Sequence, residues 1–191
     1  MTTINAVNTT LSGQTGTGNF VGSSGPTLIG PILGAASATS LGFSSTSGII
    51  GTTTNDAAAA GSVGELISSV IASGSAVSLT NNTPANVTSI SLTAGDWDVQ
   101  GNISFTPGSS TIVNYTTGWS SSTSATLPNS SLYTGRSFGS GLIINPFIEA
   151  MSVPFIRLSL SGTTTVYLSC QCGFTTSTLT ACGGIFARRR R

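Results

Sequence analysis

Residues Asp96 to Phe105 read Asp-Trp-Asp-Val-Gln-Gly-Asn-Ile-Ser-Phe, and polar residues alternate with apolar ones along most of this stretch. A period of two over ten residues is typical of a β-strand with one buried face. The inward set would be Trp97, Val99, Ile103 and Phe105, and the outward set Asp96, Asp98, Gln100, Asn102 and Ser104. This stretch therefore predicts a long, half-buried strand.

A second alternation runs from Thr164 to Phe174, and helix-forming residues are scarce while Thr, Ser, Val, Ile and Gly dominate. We predict roughly eight strands, with a turn about every 8–15 residues, in residues 61–191. The fold class is all-β, an antiparallel, jelly-roll-like β-sandwich. The other predicted strands are Ala76–Leu79, Asn86–Thr93, Thr111–Ser120, Pro154–Leu160 and Thr178–Arg188.

Three local patterns allow sharper predictions. Ser161-Gly162 lies between two apolar runs and predicts a hairpin. In Glu65–Ile71 the apolar spacing also fits a helix, and Ser62 with Glu65 resembles a capping box. Its β-branched content favours a strand buried on both faces. An extra glycine in residues 182–186, Cys-Gly-Gly-Ile-Phe, predicts a β-bulge.

Residues 1–60 differ from the rest because Gly, Ser, Thr, Asn and Pro interrupt them too often for a packed domain. Short apolar islands lie between these interruptions. We interpret this stretch as an extended N-terminal arm that is ordered against partners, and the alternative is a flexible linker. The residues expected to anchor the arm to a particle are Phe20, Val21, Leu28, Ile29, Ile32 and Leu33.

Charged residues make up only 6% of the chain, whereas Ser and Thr make up close to a third. Hydroxyl groups hydrate such a surface but repel other copies only weakly. This composition favours self-association. The N-terminus lacks a basic start and an apolar core segment, so we expect no secretory signal peptide. No apolar run is long enough to span a membrane, and we expect no membrane partner.

Catalysis has little support in this sequence. The chain contains no histidine, which excludes Ser–His and Cys–His arrangements and imidazole metal sites, and its basic residues are all arginine. Asp96 and Asp98 share a strand face and could hold an ion, but no other group is expected to converge on them. We predict that the chain is not an enzyme and has no catalytic residues, no metal site and no cofactor.

The remaining candidates are cysteines and the basic C-terminus. Cys170 and Cys172 point to the same face of one strand, whereas Cys182 is expected to face away from Leu179 and Ala181 on the next. All three are expected to be reduced thiols with structural roles. The four arginines Arg188–Arg191 could serve an interface, complete the fold or remain in solvent. Nucleic-acid binding is less favoured because no second basic patch exists.

Two parts of the sequence resemble bacteriophage virion surface proteins of the tail-fibre and head-decoration, or cement, type. The arm from Asn8 to Ser23 resembles the start of such proteins. The runs Val87–Val99 and Arg157–Leu168, with the ending Ala187-Arg188-Arg189, resemble their C-terminal β-sandwich module. The run Leu-Thr-Ala-Gly-Asp-Trp-Asp-Val within the first of these is the most specific part of the resemblance.

The resemblance implies a trimeric, surface-exposed component of a virion that is assembled in the host cytoplasm. Because no long shaft separates the arm from the predicted knob, we favour a decoration or cement protein that contacts the major capsid or another virion protein. The alternative is a short tail fibre whose knob recognises the host surface. Its recognition site would use exposed aromatic residues, and the candidates are Tyr115, Trp119 and Tyr133.

Overall fold

The structure is a computed structural model that describes residues 53–143 and 149–191. Most of the predicted arm, including its six anchoring residues, lies outside the described residues. Residues 53–60 are exposed and belong to no strand, and the first of the described strands begins at Leu66. The prediction of a domain boundary between residues 60 and 61 remains an expectation.

The described residues form strands and two short 3-10 turns, at Ser73–Ser75 and Ser130–Leu132, and contain no α-helix. The prediction of an all-β fold is therefore confirmed. The strands are β1 Leu66–Ile71, β2 Val77–Ser78, β3 Ala85–Leu92, β4 Gly95–Pro107, β5 Ile112–Ser121, β6 Thr134–Ile143, β7 Glu149–Ser152, β8 Ile156–Leu160, β9 Thr164–Thr175 and β10 Leu179–Arg189.

The strands form two antiparallel sheets. Sheet A has the order β1-β10-β4-β7, with β2 also paired to β10 and β8 to β4, and sheet B has the order β3-β9-β5-β6. β1 and β2 follow each other along one edge of β10, and β7 and β8 along one edge of β4. Each of these pairs acts as one interrupted strand. If each of these pairs is counted as one strand, the described domain has eight strands, which we renumber 1 to 8 in chain order. Their order is then 1-8-3-6 in sheet A and 2-7-4-5 in sheet B, which is the order of a jelly roll.

The core lies between the two sheets and is built from the alternate residues of their strands. Both alternating stretches are oriented as predicted: Trp97, Val99 and Ile103 of β4 and Val166 and Leu168 of β9 are fully buried. The other buried members are Val87, Ile90, Leu92, Phe105, Val113, Met151, Val153, Cys170, Cys172, Phe174, Leu179, Ala181, Ile185 and Ala187. Burial of this apolar surface is the main contribution to stability.

The prediction for residues 65–71 is right about the strand and wrong about its burial. β1 pairs with β10, but Leu66 is 57% exposed and Val70 is 62% exposed. Ile67 and Ile71 face the second sheet and are half-buried. β1 lies at a sheet edge, and its outer face has no covering layer among the described residues.

The predictions of a hairpin and of a bulge are both wrong. The turn at Ser161-Gly162 joins β8, which pairs with β4, to β9, which pairs with β3 and β5, so the chain crosses between sheets there. The β10–β4 register is continuous through Gly183. Gly183 has a φ of 154°, and a Cβ at this position would lie 2.1 Å from the Asn102 carbonyl oxygen. The glycine is required for close approach of two strands.

Replacing Trp97 with alanine should lower the free energy of unfolding by about 3–5 kcal/mol, because it removes a fully buried side chain from the core. Asp98→Asn, on the opposite face of the same strand, should cost less than about 1 kcal/mol because its ion pair is partly exposed. Urea unfolding of both variants measures these costs. The reverse order of the two costs would contradict the assignment of the strand faces.

Candidate functional site

A groove of about 590 Å³ lies on the outer face of sheet B. Its floor comes from β5, β6 and β9, and the chain between β5 and β6, residues 122–133, contributes one wall. We call it the tyrosine groove because two of the three aromatic residues predicted for recognition line it. The lining residues are Tyr115, Thr117, Leu127, Ser130, Tyr133, Gly135, Arg136, Ser137 and Gln171.

Tyr115 is fixed in the floor by a glycine and by a turn. A Cβ on Gly173 would lie 2.4 Å from the Tyr115 ring, so the ring packs directly on the backbone of the neighbouring strand. The Tyr115 hydroxyl donates to Asn82 Oδ1 at 2.9 Å. Burial raises the pKa of Tyr115 above its usual value, which keeps this hydroxyl protonated.

Of the polar groups of the floor, Thr117 is held by the neighbouring strand β9 and Gln171 by the same turn. Thr117 Oγ1 donates to the carbonyl oxygen of Gln171 at 2.7 Å, and Gln171 Nε2 donates to the carbonyl oxygen of Asn82 at 2.8 Å. Asn82 has a φ of 56°, a conformation that asparagine adopts more readily than most residues. One turn residue therefore orients both a tyrosine and an amide of the groove.

Trp119, the third predicted recognition residue, is fully buried, so the expectation that it is exposed is wrong. Gly118 faces the core residues Ile103 and Val153, which places the side chain of Trp119 on the outer face of sheet B. It is also not part of the core between the sheets. Trp119 is therefore shielded from solvent on the outer side of sheet B. Its Nε1 has no hydrogen-bond partner among the described residues.

The start of the 122–133 segment is attached to sheet B through Asn86. Asn86 Nδ2 donates to Ser124 Oγ at 2.7 Å, and Asn86 Oδ1 accepts from Ala125 N at 2.9 Å and from Ser169 Oγ at 2.8 Å. Ser169 pairs in register with Trp119 across β9 and β5. These contacts attach the segment to β3, and Ser169 of β9 lies between Asn86 and Trp119 in the sheet.

Arg136 is the one charged residue among the described residues that line the groove, and its side chain projects toward sheet A because it pairs with the core-facing Thr116. Its Nη1 lies 2.9 Å from Oε1 of Glu149, and its guanidinium lies 5.3 Å from the ring centre of Phe138. Glu149 begins β7 in sheet A, so this ion pair connects the two sheets at their open edge. The charge of Arg136 is therefore compensated by a buried carboxylate on the side of sheet B that faces sheet A, away from the groove.

A second surface lies on the outer face of sheet A, which we call the apolar face. It carries the exposed side chains of Leu66, Val70 and Phe155, the last of them 59% exposed, together with the half-buried Phe186. Two shallow depressions of about 370 and 350 Å³ adjoin Phe155 and Phe186. Exposed apolar residues grouped in this way are typical of interaction sites.

Three of the four C-terminal arginines form ion pairs within the same subunit. Arg190 lies 3.5 Å from Asp98, and Arg191 contacts Asp96. Arg189 is buried, lies 2.8 Å from Glu65 and stacks over the Trp97 ring at 4.3 Å from its centre. For Arg189 this corrects the prediction of an interface charge, because the side chain completes the fold.

Asp96 and Asp98 are occupied by arginines in the same way. Asp96 accepts hydrogen bonds from Ser159, Arg157 and Arg191, which lower its pKa from 3.8 to about 2. Within residues 53–143 and 149–191, no group of three or more His, Cys, Asp or Glu side chains is placed to hold a metal ion. The geometry of the two aspartates is therefore that of ion pairs.

The three cysteines are free thiols, as predicted. Cys170 and Cys172 are buried on the inner face of β9, and Cys182 is partly exposed. Hydrogen bonding with Cys170, together with burial, raises the pKa of Cys172 far above its usual range. A thiol with a raised pKa is a poor nucleophile at neutral pH, which fits a packing role.

Comparison with known proteins gives only remote similarity. No family model and no curated protein matches the sequence. The structure is similar to one reported as the crystal structure of infectious bursal disease virus VP2 subviral particle, with a TM-score of 0.39 and 10% identity over 66% of this chain and 32% of that one. For the structure of infectious bursal disease virus Gx strain, the TM-score is 0.34 and the identity 12%, over 68% and 30%. This chain spans about a third of the length of both.

Among the described residues, no helix is long and apolar enough to cross a membrane.

Arg189→Ala should lower the free energy of unfolding by about 3–5 kcal/mol, because it leaves the carboxylate of Glu65 buried without its partner. Arg190→Ala is the matched control, because it removes a neighbouring arginine whose side chain is 54% exposed and should cost less than about 1 kcal/mol. Urea unfolding at neutral pH measures both. Equal costs would show that Arg189 is not required to close the fold.

The low pKa of Asp96 predicts a specific pH dependence. A carboxyl group whose pKa is lower in the folded state contributes stability above its unfolded pKa, and that contribution disappears as the pH falls from 3.8 to about 2. We expect Asp96→Asn to be less stable than the natural sequence at pH 6 and the difference to close by pH 2. Thermal unfolding midpoints across this range test the prediction, and a constant difference would contradict it.

Proposed function

We propose that this chain is a structural protein of a bacteriophage virion, a compact capsid decoration or cement protein that assembles as a homotrimer. The observation that carries the proposal is the combination of a jelly-roll strand order with a nearly uncharged exterior and an exposed apolar face. Jelly rolls occur in viral capsid proteins but also in lectins and cupins, so the fold alone does not decide the function. The surface chemistry supplies the rest of the support.

The charges of the domain are used internally. Five of the six arginines form ion pairs with carboxylates of the same subunit. Little net charge is then left to oppose contact between copies. The apolar face, with Leu66, Val70 and Phe155 each more than half exposed, would be the surface where copies meet. Hiding these side chains from water would stabilise a trimer.

In this proposal, the N-terminal arm attaches the trimer to the major capsid protein or another virion protein. Residues 1–55 contain no charged side chain, so attachment would depend on backbone hydrogen bonds and on the apolar islands. Burying one Leu or Phe is worth about 1.5–3 kcal/mol. Three arms of one trimer would act together and strengthen the attachment further.

The proposal is tested by locating the protein on purified particles. We expect copies labelled with a specific antibody to be spread over the capsid shell in electron micrographs. Copies clustered at one vertex would instead identify a tail component. Absence from purified particles would contradict a virion role altogether.

The arm is tested by salt and by substitution. We expect the protein to stay on the particle at high ionic strength, because screening weakens only charge-based contacts. The triple variant Phe20→Ser, Leu28→Ser, Ile32→Ser should fail to bind stripped particles while its thermal unfolding midpoint stays unchanged. Release of the natural protein by salt alone would instead assign the attachment to charged groups such as Arg188.

A second candidate function is favoured by the tyrosine groove. A short tail fibre or receptor-binding protein needs an exposed site that recognises the host surface, and Tyr115 and Tyr133 lie together in such a site. The location of the protein at one vertex of the particle, as tested above, would favour this function.

A further inference from the structure

We propose that the tyrosine groove binds an uncharged saccharide. The inference deepens the receptor-binding candidate and rests on that function only for its biological meaning, because the binding itself is a property of the isolated protein. The groove occupies about 590 Å³, within the range of about 300–1,000 Å³ that is typical of sites for small molecules. It also combines aromatic rings with closely spaced hydrogen-bonding groups.

The lining matches the two kinds of surface that a sugar ring presents. The ring faces of a pyranose carry C–H groups, which pack on an aromatic ring and hide apolar area, and Tyr115 and Tyr133 supply such rings. The sugar hydroxyls both donate and accept hydrogen bonds. Thr117, Ser130 and Gln171 lie along the groove and carry donors and acceptors of the same type.

The charges of the groove argue for an uncharged ligand. None of the described lining residues is a carboxylate, so the groove offers a cation no negative charge. The single cation, Arg136, pairs with the core-facing Thr116 and therefore projects toward sheet A, where it forms an ion pair at 2.9 Å with Glu149. An acidic sugar would therefore find no cationic side chain directed into the groove by the described lining residues. A neutral sugar needs none, because its hydroxyls form hydrogen bonds with the hydroxyl and amide groups of the lining.

The groove is also formed before any ligand arrives. Asn82 holds both the Tyr115 hydroxyl and the Gln171 amide, at 2.9 and 2.8 Å. Asn86 holds the start of the segment that forms the groove wall, through Ser124 and Ala125. Side chains that are already fixed lose less conformational entropy on binding, which favours affinity for a weakly binding ligand such as a sugar.

The test uses the full chain and a panel of immobilised saccharides: dextran, mannan, galactan and a maltose series as uncharged probes, with polygalacturonate and hyaluronate as acidic probes. We expect at least one uncharged probe to bind with a Kd of about 1 mM or lower. Binding of acidic probes alone, or of no probe, would overturn the proposal. Saturation-transfer NMR on the free oligosaccharides provides an independent measurement of the same binding.

Two variants connect the binding to the groove. Tyr133→Ala should weaken binding about tenfold or more, since it removes a stacking ring. Ser137→Trp should block the groove from an exposed position on β6, and it serves as the second variant if Tyr133→Ala fails to fold. Tyr167→Ala is the matched control, because Tyr167 lies on β9 and does not line the groove.

Unchanged binding in both groove variants, or equal loss in the Tyr167→Ala control, would overturn the assignment of the site. The same variants separate this proposal from the virion role. Tyr133→Ala should still attach to particles through the arm, so loss of saccharide binding with particle attachment intact concerns the groove alone. Absence of the natural protein from particles, with saccharide binding intact, would contradict only the virion role.

Discussion

The sandwich depends on the closure of one end of its core by a buried arginine. Arg189 contacts three parts of the chain at once: Glu65 before β1, the Trp97 ring in β4, and the turn between β3 and β4 through Thr93 and Ala94. Both the backbone and the side chain take part, since Gly64 N donates to the Arg189 carbonyl oxygen at 3.0 Å. An arginine buried with all these partners is compensated, whereas the same arginine with one partner removed would be costly.

The outer faces of the two sheets differ in how much of each is covered by other parts of the described chain. The outer face of sheet B is partly covered by the 122–133 segment, which forms one wall of the tyrosine groove, and this face also carries the buried Trp119. The outer face of sheet A has no such cover among the described residues, which leaves Leu66 and Phe155 exposed. One face therefore carries a groove with a covered wall, and the other exposes apolar side chains.

The sequence predicted those strands in which apolar and polar residues alternate. The alternation in residues 96–105 and 164–174 gave the correct inward faces because each strand is long and one side of it is fully buried. β6 and β7 were not predicted, since their Gly- and Ser-rich or short sequences carry little alternation. The burial of Trp119 on the outer face of sheet B was not predicted, and neither was the contact of Asn86 with Ser124 across 38 residues, because no local pattern contains information about such distant neighbours. The inward position of Arg189 follows from its parity with Ala187, but its acceptors come from distant parts of the chain.

The position of β10 has a consequence for the order in which the domain folds. β10 is the last of the described strands in chain order, yet it lies in the interior of sheet A between β1 and β4. During synthesis, β1 and β4 therefore emerge without the strand that joins them, and sheet A cannot close until β10 has been made. Pairing between the first and last strands gives a fold of high contact order, which forms slowly. In the meantime the apolar sides of β1 and β4 are open to other chains, and nascent copies made close together have an opportunity to associate before each one has finished folding.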